Sequence, residues 1–157
     1  MASRPATTIR VRDARPRDFK ALLAIETASH PSAWSRSQMR RMIADPSSET
    51  WVLELEDRVA GFLVLLDEEE HWHLANLAIA PDLRRRGLGR LALRVLDEQV
   101  AARPYTKVIL HVRESNLPAQ LLYRSAGYRA VEIVKRYYGD EPAYRMEKDV
   151  RPGSTVS

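Results

Sequence analysis

Arg84-Arg85-Arg86-Gly87-Leu88-Gly89-Arg90 brings four arginines and two glycines into one short segment. Residues of these types at this spacing suit the binding of an anion. Before the segment, Leu74 to Ala80 is an apolar run that reads as a strand. After it, Leu88, Leu91, Ala92, Val95, Leu96 and Val100 recur at helical spacing. A strand, a basic glycine-punctuated turn and a helix N-terminus together make a cradle. Its free backbone N–H groups and the positive end of the helix dipole point at whatever binds there, and glycine lets the backbone close round a phosphate with no Cβ in the way. By itself a glycine pair before a helix is only a tight connection, so the cradle needs support from elsewhere in the chain. Two nucleotide-binding patterns are excluded. There is no G-x-x-x-x-G-K-[ST]. The third glycine of a dinucleotide fingerprint is replaced by Ala92, and the strand that follows ends in His111-Val112-Arg113 rather than in an acid.

The pattern R-x-x-G-x-G after a strand and opening a helix resembles the acyl-CoA pyrophosphate loop of the GNAT superfamily of N-acetyltransferases. The likeness continues through Leu110-His111-Val112-Arg113-Glu114-Ser115-Asn116, then Ala119, Leu122-Tyr123 and Gly127-Tyr128. Lys135-Arg136-Tyr137-Tyr138 and Pro142-Ala143-Tyr144-Arg145-Met146 resemble the double tyrosine and closing strand of N-terminal (Nα) acetyltransferases, above all of the ribosomal-protein-alanine type. The four motifs lie in one register and span about Ile9 to Asp149.

The resemblance implies an acetyl-CoA-dependent transferase whose acceptor is a protein N-terminus, with the N-terminal alanine of a ribosomal protein as one such acceptor. Arg85, Arg86, Gly87, Leu88, Gly89 and Arg90 are then the pyrophosphate cradle. Leu77, Ala78 and Ile79 match the strand beside the pantetheine arm, whose N–H groups would polarise the thioester carbonyl as an oxyanion hole does. Asn116 matches a cofactor contact and is equally a plain helix N-cap, two roles that are compatible. Tyr123 matches the tyrosine near the CoA sulfur and is the candidate acid for the leaving thiolate, with geometry doing most of the work. The other reading of Tyr123 is a core aromatic on an amphipathic helix.

His111 is a departure, because bacterial enzymes of this type carry Glu there as their general base. Several eukaryotic Nα-acetyltransferases have L-H-V-x-x-S-N, as here, and in some the His holds that role. Imidazole can accept a proton from an attacking ammonium, directly or through water. With a silent His111, a water chain to Glu26 or a tyrosine would be needed. An α-amine is on the order of 10 per cent neutral at pH 7, whereas a lysine is below about 0.1 per cent, so a modest base suits N-termini. Tyr137 and Tyr138 supply hydroxyls for a peptide backbone, Tyr144 begins the strand beside them, and each also reads as an ordinary strand aromatic. Trp34 either walls the pocket for the first residue or staples the second helix. His71 and His73 alternate on one strand face and read as lacking a carboxylate or cysteine nearby, a poor metal site, so no metal is expected.

Two other functions stay open: a GNAT enzyme acting on a small amine or a lysine side chain, and a non-catalytic CoA-binding scaffold. The chain has no cysteine, which excludes disulfides and a cysteine acyl-enzyme and leaves direct transfer in a ternary complex. The net charge of +4 fits an anionic cofactor. Acids and bases are interspersed and no nucleic-acid motif appears, so direct nucleic-acid binding is not expected. With no long apolar run, neither a membrane span nor an export signal is expected, and the expectation is a cytoplasmic protein and, separately, a monomer or weak dimer.

These residues need a scaffold of one domain, which the 157-residue length suits. Met1–Thr8 and 151–157 read as flexible ends around a domain over 9–150. A strand over Ile9–Arg12 precedes a helix opened by Pro16 and running to about Ala28. Ser35 and Gln38 make a capping box for a helix to Ala44. Trp51–Leu55 and Val59–Leu66 pair as a hairpin, and Asp67–Glu70 is a solvated tip before a strand over His71–Ile79. The cofactor helix runs to about Arg103, a strand spans Val108–Val112, and Asn116 caps the next helix. Strands over Tyr128–Tyr137 and Ala143–Lys148 close the chain. The order β-α-α-β-β-β-α-β-α-β-β predicts an α/β fold, a single mixed sheet with helices on both faces, and it matches the GNAT order.

Overall fold

The computed structural model describes residues 8–30, 33–139 and 141–151, so the expectation for the two ends falls almost wholly outside the described residues. The elements are β1 (Ile9–Asp13), α1 (Phe19–Ser29), α2 (Arg36–Ala44), β2 (Ser48–Leu55), β3 (Arg58–Asp67), β4 (Trp72–Ile79), α3 (Leu88–Ala101), β5 (Lys107–Arg113), α4 (Leu117–Ser125), β6 (Arg129–Val134) and β7 (Ala143–Asp149). The predicted order is the observed one. The seven strands form one mixed sheet in the order β1-β2-β3-β4-β5-β7-β6.

The chain divides into two compact units, one of residues 1–64 with 76–88 and one of 65–75 with 89–157. In the first, β1 pairs antiparallel with β2, with Val11 opposite Leu53. A two-residue turn, Glu56-Asp57, leads from β2 into β3, and both residues have positive φ (48° and 66°), the left-handed pair that a tight hairpin requires. Leu22, Met39, Val52, Leu53 and Phe62 are among its buried apolar side chains. Gly61 is glycine because a Cβ there would lie 2.7 Å from the carbonyl oxygen of Ala78, so β3 and the end of β4 approach more closely than any other residue allows.

Arg12 organises the entry to α1. It makes two hydrogen bonds to the Asp18 carboxylate, at 2.8 and 3.0 Å, and a third to Glu54 at 2.8 Å. Asp18 also accepts from the Arg15 N–H at 2.7 Å. Such forked, charge-assisted bonds are the strong ones, and the Arg12 guanidinium holds the Asp18 carboxyl below the usual range. The segment opened by Pro16 is therefore a 3-10 turn over Pro16–Asp18, and α1 proper begins at Phe19. Ser35 and Gln38 form the expected capping box: the Ser35 Oγ accepts from the Gln38 N–H at 3.2 Å, and the Gln38 side chain accepts from the Ser35 N–H at 2.8 Å.

In the second unit, β5 pairs antiparallel with β7 along its whole length, and β7 pairs with β6. β4 runs parallel to β5, with Trp72 opposite Val108 and His73 opposite Ile109. Leu93, Leu96, Val100, Leu110 and Met146 are buried here. α3 stops at Ala101 rather than Arg103, because Pro104 disfavours a helical Arg103. β6 ends at Val134, so Tyr137 and Tyr138 do not lie on a strand. They sit in a turn over Lys135–Gly139 in which Arg136 and Gly139 have positive φ (56° and 80°), a conformation that breaks a strand. His71 precedes β4 rather than opening it.

Candidate active site

The basic turn has the shape its composition predicts. Arg85 and Gly87 both take positive φ, 64° and 78°, and α3 begins at once with Leu88. Alternating handedness turns successive N–H groups to one side and makes an anion-binding concavity. A Cβ on Gly87 would meet nothing within 4 Å, so glycine is favoured here by its backbone angle and not by crowding. Arg84 is tied back, donating to the Ser29 hydroxyl at 3.0 Å. Arg85, Arg86 and Arg90 are exposed. Of the adjoining strand, Ala78 is buried while Leu77 and Ile79 are half-buried. Exposed arginines, a concave backbone and a helix N-terminus fit a group with several negative charges, such as a diphosphate.

A second arrangement gathers around Glu26, which is 1% exposed. Its carboxylate accepts from Asn76 Nδ2 at 2.8 Å and from the Trp34 N–H at 2.9 Å, and His30 Nε2 lies 3.5 Å away. Each oxygen of the buried carboxyl group thus has a donor, as buried polar groups generally do. Through this bond Glu26 fixes the backbone at Trp34. With both oxygens engaged, Glu26 reads as an anchor for the segment between α1 and α2.

His111 stands near the middle of β5, half-buried. His73 is opposite Ile109, and side chains two residues apart on a strand share a face, so the ring of His73 meets that of His111. His111 Nδ1 and His73 Nε2 are 3.3 Å apart. Tyr137 stacks on the other side of His111, with centroids 4.2 Å apart and planes at 7°. The Tyr138 hydroxyl donates to the His111 carbonyl at 3.2 Å, which ties the turn 135–139 to β5. The turn is held again by Glu141, which accepts from Arg113 and from the Ser115 N–H, each at 2.9 Å, and Arg113 lies over the Tyr138 ring at 4.1 Å.

Burial, then the neighbouring His73 and Arg145, push the His111 imidazole below its ordinary range. Burial pushes His73 down as well, against the pull of Glu68. Both rings are therefore held toward the neutral form, in which one ring nitrogen keeps a free lone pair. Tyr123 lies on α4, edge-on to Tyr128 at 5.9 Å, and burial pushes its phenol above its ordinary value. Burial likewise pushes Tyr138 up to about 12. Asn116 caps α4, its Oδ1 accepting from the Ala119 N–H at 3.2 Å. Tyr144 is the second residue of β7, opposite Val112.

The structure thus brings His111, Tyr137 and Tyr138 together and sets the cradle at the head of α3. It also adds two residues. His73 touches His111, and Glu68, placed by the sequence in a solvated tip, faces both His71 and His73, with contacts of 2.9 and 3.4 Å. The two histidines spaced around Trp72 just after an acidic tip were the available signal.

The model of the acetyltransferase (GNAT) family matches residues 19–128. The [ribosomal protein bS18]-alanine N-acetyltransferase of Salmonella typhimurium is 35% identical over 126 residues, covering 77% of this chain and 81% of that protein. A protein of Bacillus subtilis named as a putative enzyme of the same kind is 30% identical, covering 85% of this chain and 89% of its own. The crystal structure of the ribosomal-protein-S18-alanine N-acetyltransferase from Escherichia coli superposes with a TM-score of 0.84 at 26% identity, covering 96% of this chain and 99% of the other. With its sheet order, its cradle and the family model spanning most of its length, this chain belongs to the GNAT family and is an N-acetyltransferase.

Proposed function

We propose that the acceptor is the α-amine of a protein N-terminus and that transfer from acetyl-CoA is direct, within a ternary complex. The observation that carries this reading is His111, a half-buried imidazole of lowered basicity stacked on Tyr137. A neutral imidazole at pH 7 is matched to an amine of pKa near 7.8, of which on the order of a tenth is already free, and poorly matched to lysine. The relatives named as alanine N-acetyltransferases support the same acceptor, and a ribosomal protein beginning with alanine is the substrate we assign.

Acetyl-CoA supplies an activated acyl group whose carbon is open to attack by an amine. The backbone of Arg85–Leu88 and the side chains of Arg86 and Arg90 would hold its diphosphate. N–H groups of Leu77–Ile79 would face the thioester oxygen, and Asn116 would add a contact. His111 takes the proton the amine loses as nitrogen bonds to the acyl carbon. Tyr123, a phenol that is protonated at neutral pH, returns a proton to sulfur as the carbon–sulfur bond breaks. Tyr137, Tyr138 and Tyr144, with Trp34, would line the path of the peptide. With no cysteine in the chain, a thiol acyl-enzyme is excluded.

The test is release of CoA from acetyl-CoA with peptides beginning in Ala, Ser, Met or Met-Leu, and with a blocked peptide carrying one free lysine. Turnover confined to free α-amines, strongest for alanine, is expected. Turnover on the lysine peptide alone would overturn the acceptor. CoA binding with no turnover on any amine would favour a scaffold.

A further inference from the structure

The contacts of His73 and Glu68 raise a question that His111 alone leaves open: which of its two ring nitrogens is the base. A neutral imidazole carries one hydrogen, and only the other nitrogen can accept a proton. A free imidazole side chain favours the hydrogen on Nε2, which would leave His111 Nε2 unable to accept a proton. The neighbours decide otherwise.

Glu68 is an acceptor only, when ionised, and its Oε2 faces His73 Nδ1 at 3.4 Å. His73 therefore carries its hydrogen on Nδ1, and its Nε2 is left as a lone pair. That lone pair faces His111 Nδ1 at 3.3 Å and requires a donor, so His111 carries its hydrogen on Nδ1 too. The remaining nitrogen, His111 Nε2, then holds the free lone pair, and no hydrogen bond among the described residues engages it. The chain of contacts Glu68–His73–His111, at 3.4 and 3.3 Å, thus favours one tautomer along its whole length, by the same logic through which a carboxylate orients the histidine of a catalytic triad.

We propose that Glu68 and His73 are positioning residues that make His111 Nε2 the base of the acetyl transfer. The pair acts through His111 and touches no reacting atom. When Nε2 takes the amine's proton, His111 becomes an imidazolium with hydrogen on both nitrogens. Its Nδ1–H keeps the bond to His73, and the Glu68 carboxylate offsets the new charge one ring away. No second proton moves. The inference rests on the proposed reaction for its catalytic meaning, although the tautomer itself does not depend on which amine is acetylated.

The other groups around the array fit this assignment. His71 Nε2 lies 2.9 Å from the second oxygen of Glu68, which fixes the carboxylate where the turn between β3 and β4 meets solvent. Arg145 is opposite His111 in register and Glu132 is opposite Arg145, so a cation and an anion from β7 and β6 flank the ring. Tyr137 covers the ring face and limits its rotation.

The deciding variant is Glu68→Gln. Its amide can present N–H to His73 Nδ1, which would move the His73 hydrogen to Nε2, force His111 to accept at Nδ1 and place a hydrogen on His111 Nε2. The readout is the ring nitrogen shifts of His111 by ¹⁵N NMR of the full-length protein, alongside kcat and KM on the best peptide. Wild type is expected to show the Nδ1–H tautomer. Glu68→Gln is expected to move the population toward Nε2–H and to lower kcat at least tenfold, with KM for the peptide within about twofold. Glu68→Asp should restore part of both, and Glu70→Gln, on the same exposed turn, should change neither. An Nε2–H tautomer in wild type, or a Glu68→Gln protein with full kcat and an unmoved tautomer, would overturn the proposal. If wild type acetylates no α-amine yet shows the Nδ1–H tautomer that Glu68→Gln abolishes, the acceptor assignment fails and the positioning array stands.

Discussion

At the scale of single residues, the main separation is between groups that hold the frame and groups left free to react. Glu26 has donors on both oxygens, and the Tyr138 hydroxyl is committed to a backbone carbonyl, whereas His111 is gripped on one nitrogen and by one face only. Replacing His111 with alanine is expected to lower kcat by about 10²- to 10⁴-fold near pH 7. The loss should shrink as pH rises through the amine's own pKa, because more of the amine is then already free and hydroxide can take the proton in place of the ring. A pH–rate profile of His111→Ala parallel to that of wild type would remove the ring from the mechanism. His111 was legible in the sequence because its strand and the following Ser115-Asn116 form one local motif. Glu68 was not. Its contacts depend on a turn that folds it back toward a ring five residues on, and on β4 and β5 placing that ring against another 38 positions away, neither of which a local reading of Asp67–Glu70 contains.

At the scale of elements, local chemistry was the best guide wherever an element ends on its own side chains. Ser35 with Gln38, Asn116, and the glycine turn before α3 all appear where their residue types put them. The run Tyr128–Tyr137 misled, since its aromatics and β-branched residues favour a strand throughout, yet the left-handed Arg136 and the bond from the Tyr138 N–H to the Glu141 carbonyl bend it away after Val134. The cradle offers a test at this scale. Gly87→Val would force a branched side chain into a left-handed position, at a cost of roughly 1–2 kcal/mol. It would also put methyl groups into the open space above the turn. The expected result is a KM for acetyl-CoA raised about tenfold or more, kcat at saturation changed far less, and Tm lower by about 2–8 °C, measured by steady-state kinetics and thermal melts. A KM unchanged in a protein that melts lower would leave the glycine a purely structural part.

At the scale of the whole molecule, the two depressed histidines couple the site to stability. Their folded pKa values lie below the unfolded value near 6.5, so below that pH the unfolded chain binds protons the folded chain resists. Stability must therefore fall as pH drops from about 6.5, and the loss is complete only below the folded values. A second loss follows at lower pH. Asp18 is held down by Arg12, and its contribution, present above about pH 4, disappears as pH falls through its folded pKa. Urea midpoints from pH 8 to 5 should show the first slope in wild type and a flatter one in His73→Phe, and equal slopes would mean that His73 is not held neutral. The strand order has a further consequence, for how the chain is made. β7 lies between β5 and β6, although it follows both in the chain. Until synthesis has passed Asp149, β5 and β6 cannot be bridged, and one side of the strand that carries His111 stays an open edge of the kind that invites pairing with other chains. The strand that carries His111 is thus completed only by β7, and a nascent chain stalled within β6 would carry the glycine turn and His111 without the strand that joins β5 to β6.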